Sequence, residues 1–212
     1  MDSLMLRRQA MIGSGLPGGL VRVPYVVCTG YQVIDLGLTG NNTTSALIDF
    51  HVTELVSGAG RTVFGDYSDS SHSLSITLGA SGATSRYGDR NVSWTWAAGG
   101  DYAVTIGPTG ITRTGTDPRS SSWSAPSSFT TGANLKLGWA GTLNYFKGWI
   151  RECGIWSGGS QVRWLIPCYS ASGYGTYSEH YVLYDLINNK VYSARMDNPS
   201  GYGGNHPFEG PA

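Results

Sequence analysis

The sequence predicts an all-β protein: a two-sheet antiparallel β-sandwich of jelly-roll type with a short N-terminal arm. Three observations predict it. From residue 25 onward apolar and polar residues alternate with period two. Thirty-one glycines and 12% aromatic residues suit many short strands joined by tight turns. After residue 25 no segment holds a helical period for more than a turn or two. Many short strands in one chain need two packed sheets to bury their apolar faces. A length of 212 residues allows one such domain with a real core. The reading divides the chain into an anchoring arm and flexible joint, residues 1–22, and a sandwich, residues 23–212.

The arm reads "MDSLMLRRQAMIGSG". Leu4, Met5, Leu6, Met11 and Ile12 are apolar and Arg7 and Arg8 are basic, an amphipathic pattern suited to anchoring. The apolar runs are too short for a secretory signal, and the arginines sit on the wrong side of the first one. A twin-arginine export signal fails for the same shortness and for the glycines that follow. No segment approaches the roughly twenty apolar residues of a membrane span, so no membrane insertion is expected. "GSGLPGG" then serves as the joint.

The strands follow in order. In "SALIDFHVTEL", Ile48, Phe50 and Val52 alternate with Asp49, His51 and Thr53. Leu74, Ile76 and Leu78 alternate with Ser73, Ser75 and Thr77. Val92, Trp94 and Trp96 share a face, which is read as core. "DYAVTI" and "ITRTGT" flank "GPTG", a hairpin signal that puts Tyr102, Val104 and Ile106 on one side. "TGTDPRSSSWSAPSSFTTGAN" reads as one long polar loop. "LKLGW", "FKGWIRECGIW" and "QVRWLIPCYS" continue the strands, and "YVLYDLINNKVYSA" reads as a hairpin around Asn188 and Asn189.

Only 13% of residues are charged and the formal net charge is zero, so the basic footprint of a nucleic-acid binder is missing. The cysteines, Cys28, Cys153 and Cys168, form no metal-ligand spacing. Their odd number argues against a secreted disulfide framework and for buried, reduced thiols in a protein made in a cytoplasm.

Three stretches carry a resemblance. "GYQVIDLGLTGNNTTSALIDFHV" resembles the opening of laminin-G-like, concanavalin A-like jelly rolls. "LKLGWAGTLNYFKGWIRECGIWSGG" is similar to their strand, aromatic-rich loop and Lys-Gly-x-Ile pattern. The tail "QVRWLIPCYSASG", then "YVLYDLINNKVYSA" and "NHPFEGP", resembles the end of many sandwich proteins of gut-bacterial phages, as the opening "MDSLMLRRQAM" resembles their start. Two departures stand out: "Y-x-V-I-D-L-G" in place of an Asp-Thr-Gly, and a longer insert, "SASGYGTYSEHY". The resemblance covers most of the chain and is weaker over 55–130. It implies a virion structural protein such as a capsid decoration, head-fibre or tail-associated subunit, made in the bacterial host cytoplasm. Other virion proteins and sister copies are then the expected partners, in a homo-oligomer, with host-surface glycan as a further contact. The rival reading is a free carbohydrate-binding lectin or a glycan hydrolase module.

Cys168, His180 and Asp185 lie in the order of a nucleophile with a His/Asp pair, but Cys168 alternates with Val162, Trp164 and Ile166 on a face read as core, and Asp185 suits a turn. A retaining glycosidase needs two carboxylates about 5–5.5 Å apart. With four Glu and ten Asp, no single strand shows such a pair; Glu152, for example, counts onto the same face as Ile150 and Gly154. The protein is therefore expected not to be an enzyme, and no cofactor is implied. Asp66 and Asp69 in "GDYSDSSHS" are weak calcium candidates beside the simpler reading of an Asp/Ser turn. For glycan or partner contact the candidates are Trp123 in the polar loop, without an obvious core partner, and Tyr174, Tyr177 and Tyr181 in the insert.

Overall fold

The structure, a computed structural model, describes residues 16–55, 60–66, 69–138, 145–174, 179–194 and 207–211. The arm candidates Leu4, Met5, Leu6, Arg7, Arg8, Met11 and Ile12, and Tyr177 of the insert, lie outside the described residues. A 3-10 turn, Pro17–Gly19, comes just before the first strand. The first eight are β1 (Leu20–Arg22), β2 (Val26–Thr29), β3 (Ile34–Asn41), β4 (Thr44–Val52), β5 (Arg61–Asp66), β6 (Leu74–Leu78), β7 (Ala83–Tyr87) and β8 (Arg90–Trp94). Then come β9 (Asp101–Gly107), β10 (Gly110–Gly115), β11 (Arg119–Ser122), β12 (Thr130–Leu137), β13 (Lys147–Ser157), β14 (Ser160–Tyr174), β15 (Glu179–Asp185) and β16 (Lys190–Tyr192).

These strands form two antiparallel sheets packed as a sandwich, as the period-two pattern requires. The larger runs β11-β10-β9-β4-β13-β14-β15-β16, with β1 beside β14 and β2 beside β13. The smaller runs β3-β12-β5-β6-β7-β8. Ile48, Phe50, Val52, Tyr102, Val104 and Ile106 from the larger sheet meet Leu36, Phe64, Leu74, Ile76 and Leu135 from the smaller in one core. Trp94 and Trp96 join it, as expected from their shared face. The predicted hairpins are present: β9 and β10 pair across "GPTG", and β15 and β16 pair across a turn that ends at Asn189, whose φ is 53°.

Four local features differ from the sequence reading. The stretch read as one polar loop contains an edge strand, β11, whose serines pair with β10, and its last residues begin β12. An outermost strand needs backbone partners on one side only, so it can form without an apolar face. Leu20–Arg22, assigned to the joint, form β1, because β14 offers them a ladder that the surrounding glycines conceal. On the polar face of β6, Ser75 is buried and Thr77 half-buried, and Ser73 just before the strand is buried too, so burial is not confined to the apolar face. Finally, Cys168 is buried, but in a second cluster with Leu20, Trp164, Ile166, Val182 and Tyr184. Leu165 and Leu183 belong to the main core, so by alternation this second cluster lies on the outward face of the larger sheet.

The N-terminal strands occupy a fork. Strands β13 and β14 remain paired only from Ser157↔Ser160 to Cys153↔Leu165. Beyond that point β2 pairs with β13 and β1 pairs with β14. Pro167 sits where β14 changes neighbour from β13 to β1, so its missing N–H leaves no ladder bond unmade. Its carbonyl accepts the Val23 N–H at 3.0 Å. Val27 of β2 also exchanges two backbone hydrogen bonds with Glu209, at 2.9 and 3.2 Å.

Candidate functional site

The outward face of the larger sheet brings aromatic and charged side chains together. Along β4, Ala46, Ile48, Phe50 and Val52 are buried, and alternation turns Ser45, Leu47, Asp49 and His51 outward. Strand β13 pairs with β4 through a β-bulge: Ile150 faces Phe50 and Glu152 faces Asp49, with Arg151 as the extra residue. A bulge shifts the side-chain phase by one residue. Trp149, opposite His51, and Trp156, opposite Ser45, therefore share the outward face although seven residues separate them. Without the bulge an odd separation would put them on opposite faces.

Three rings stack across the strands. Tyr25 lies 4.5 Å from Trp149 at an interplanar angle of 11°, and His51 lies 4.2 Å from the other side at 19°. His51 Nδ1 is 3.1 Å from the Asp101 carboxylate on β9. Arg151 binds Asp101 and, at 3.3 Å, Asp49, so one guanidinium holds carboxylates from two neighbouring strands. The environments drive these two acids apart. Burial raises the Asp49 pKa, and the Arg151 hydrogen bond only partly offsets it. The Arg151 hydrogen bond lowers the Asp101 pKa, outweighing a smaller burial effect, with help from His51.

Asp101 is depressed in the fold, so its contribution is present above the ordinary carboxylate range and fades as pH falls through its lowered pKa. Asp49 is raised and acts in the opposite sense, favouring the fold as it takes up its proton. In a carboxyl-detected NMR titration Asp101 is expected to protonate at lower pH than Asp49, and Arg151→Met should raise both pKa values, since the guanidinium lowers each. The reverse order would contradict this arrangement.

The sequence-derived candidates fall elsewhere. Trp123 is half-buried; its indole N–H donates to the Gly107 carbonyl at 3.2 Å and its ring lies 6.1 Å from Tyr87, so it has the core partner that its polar loop conceals. Tyr174 is exposed at the end of β14. Tyr181 is partly buried against the main core, 5.2 Å from Tyr169. The structure does not place Trp123, Tyr174 and Tyr181 in one cluster. Asp66 is buried and accepts the Ala133 N–H at 3.0 Å, whereas Asp69 accepts the N–H groups of Ser71 and His72 in a local turn. The Asp/Ser-turn reading thus describes Asp69, and Asp66 ties β5 to β12. Among the described residues no group of three or more His, Cys, Asp or Glu side chains is arranged to hold a metal ion. No helix among them is long and apolar enough to cross a membrane.

Cys168, His180 and Asp185 do not form a relay. The Asp185 carboxylate accepts the Trp164 and Ile187 N–H groups and the Asn188 amide, at 3.1, 3.0 and 2.8 Å. His180 Nδ1 lies 2.8 Å from the Ser170 carbonyl. Burial pushes the Cys168 pKa up to about 12, far from a reactive thiolate. Cys28 and Cys153 are likewise buried and free, with their pKa values raised by desolvation.

No protein-family model matches the chain, and no curated protein matches it significantly. Among solved structures, domain 4 of AbnA, an extracellular GH43 arabinanase from Geobacillus stearothermophilus determined in complex with arabinotriose, is similar at 18% identity. The match covers 68% of this chain and 77% of that one with a TM-score of 0.42, too low to bear on function.

Proposed function

We propose that this chain is a non-enzymatic β-sandwich subunit of a bacteriophage particle, anchored by its N-terminal arm, whose larger sheet turns its outward face to glycan on the host surface. The resemblance of the opening, the β13 region and the tail to phage sandwich proteins supports the particle setting. The observation that carries the glycan reading is the Tyr25–Trp149–His51 stack beside Asp49, Asp101 and Arg151. Half-buried aromatic rings offer apolar contact to a sugar, and the adjoining charged groups offer hydrogen bonds to its hydroxyls.

A glycan array probed with the full chain is expected to give binding that Trp149→Ala weakens at least tenfold, or about 1.4 kcal/mol. Undiminished binding by Trp149→Ala would remove this face from the reading. Absence of the chain from purified particles would remove the virion setting. A hydrolase reading is favoured by one observation, the opposed pKa shifts of Asp49 and Asp101, the polarity that an acid and a nucleophile need. Against it, Arg151 engages both carboxylates, which disfavours a proton held on either. Release of reducing ends from an array-positive glycan would overturn the non-enzymatic reading.

A further inference from the structure

On the premise of that glycan reading, we infer that the ligand is a neutral, linear glycan chain bound along β13 at two aromatic platforms, the outward rim of the Tyr25–Trp149–His51 stack and the indole of Trp156, rather than a single terminal sugar. The bulge at Arg151 places both indoles on the outward face. His51 and Ser45, their partners on β4, are six residues apart, a span of roughly 20 Å at the rise of a β-strand. That is room for several sugar units.

Gly154 shapes the second platform. A Cβ built there would lie 2.6 Å from Trp156 Cη2 and 3.0 Å from Cζ3. The six-membered ring of Trp156 therefore lies over the Gly154 backbone, back along β13 in the direction of Trp149. Trp156 is only half-buried, so part of the indole stays open to a ligand. Beside it runs a row of short outward residues, Leu47, Thr105, Thr112 and Ser120, in register on β4, β9, β10 and β11. Three of these carry hydroxyls and are exposed, giving a low polar floor next to the indole.

Charge selects the class of chain. Two carboxylates, Asp49 and Asp101, surround one guanidinium, Arg151, leaving an excess negative charge beside the first platform. A polyanion is repelled there and a neutral chain is not.

The test is affinity electrophoresis of the full chain in gels containing mannan, dextran or arabinan, with heparin as the polyanion. At least one neutral polymer is expected to retard the protein and heparin is not. Trp149→Ala and Trp156→Ala, each shown to be folded by circular dichroism at the assay temperature, should weaken retardation at least tenfold. Trp156→Phe should restore much of it, and Val21→Ala, an exposed change elsewhere, should leave it unaltered. The monosaccharide of the retarding polymer should compete poorly. Loss with Trp149→Ala but not Trp156→Ala, together with full competition by the monosaccharide, would overturn the two-platform chain and leave the glycan reading standing. A blank array and no retardation would overturn both. Retardation by heparin alone, or a solution dimer broken by Trp156→Ala, would assign the face to another occupant and overturn the inference.

Discussion

Replacing Arg113 by alanine is expected to cost about 3–5 kcal/mol of folding stability, because it opens a cavity among three aromatic rings and removes the hydrogen bonds to Thr95 and Asp117 at once. Arg113 projects from β10, and its side chain has no solvent exposure. Its guanidinium carbon lies 4.7 Å from the centroid of Trp96 and 5.3 Å from those of Trp94 and Tyr102, so three rings enclose the cation. Nη1 donates to the Thr95 carbonyl at 2.8 Å, and Nε and Nη2 donate to the Asp117 carbonyl at 2.9 and 2.7 Å. Nη2 also reaches the Asp117 carboxylate at 2.6 Å, which holds Asp117 in its left-handed conformation, φ 50°. Arg113→Met fills most of the volume without the donors and is expected to lose less, about 2–3 kcal/mol. Lysine would not serve, since a single ammonium cannot bond two carbonyls and lie flat among the rings. Chemical denaturation measures all three variants. A loss below about 1 kcal/mol for Arg113→Ala would mean that the enclosure contributes little.

Gly65→Ala is the second change with a large expected effect. Gly65 sits in β5 between Lys136 of β12 and Ser75 of β6, with φ at 121°. Residues with a side chain rarely adopt that conformation. A Cβ there would also run into the Leu74 carbonyl oxygen and the Ser75 backbone. No rotamer change relieves a clash with backbone, so the β5–β6 ladder must open. The expected loss is about 3 kcal/mol or more, with an altered denaturant slope if the smaller sheet frays. Gly82→Ala is the control: its φ is also positive, at 91°, but nothing lies within 4 Å of the added carbon. If the two variants lost equal stability, backbone strain alone, not the ladder clash, would account for Gly65.

Alternation made most of the fold legible. It placed Ile48, Phe50, Val52, Tyr102, Val104 and Ile106 inward because each strand shows one face to the core. It failed where one face was not enough. Serines make β11 because an edge tolerates them, and Cys168 is buried away from the core because Leu20 of β1 and Val182 and Tyr184 of β15 pack with it on the outward face. The candidate face was hidden for a different reason. Counting by two through "GWIRECGIW" puts Glu152 and Gly154 with Ile150, whereas the bulge sends Ile150 inward and pairs Glu152 with outward-facing Asp49. The same count separates Trp149 from Trp156. Asp49 and Asp101 stand 52 positions apart and meet only because β4 and β9 are neighbours, so no search along one strand finds them. "GDYAVTI" gave no sign of which strand would lie beside it.

The fork between β13 and β14 also bears on the order in which the molecule is finished. Residues 20–29 emerge early in synthesis, yet the ladders that receive them are built from residues 147–150 and 168–170, and Val27 is bonded again by Glu209. Contacts of such long sequence separation form late. The segment that leads into the arm is therefore fastened down only after nearly all of the sandwich exists. If residues 1–15 anchor the chain as proposed, an incompletely folded copy would lack a fixed base for them. Under the proposed anchoring role, docking would thereby be tied to completion, and defective copies would be left out without a separate inspection step.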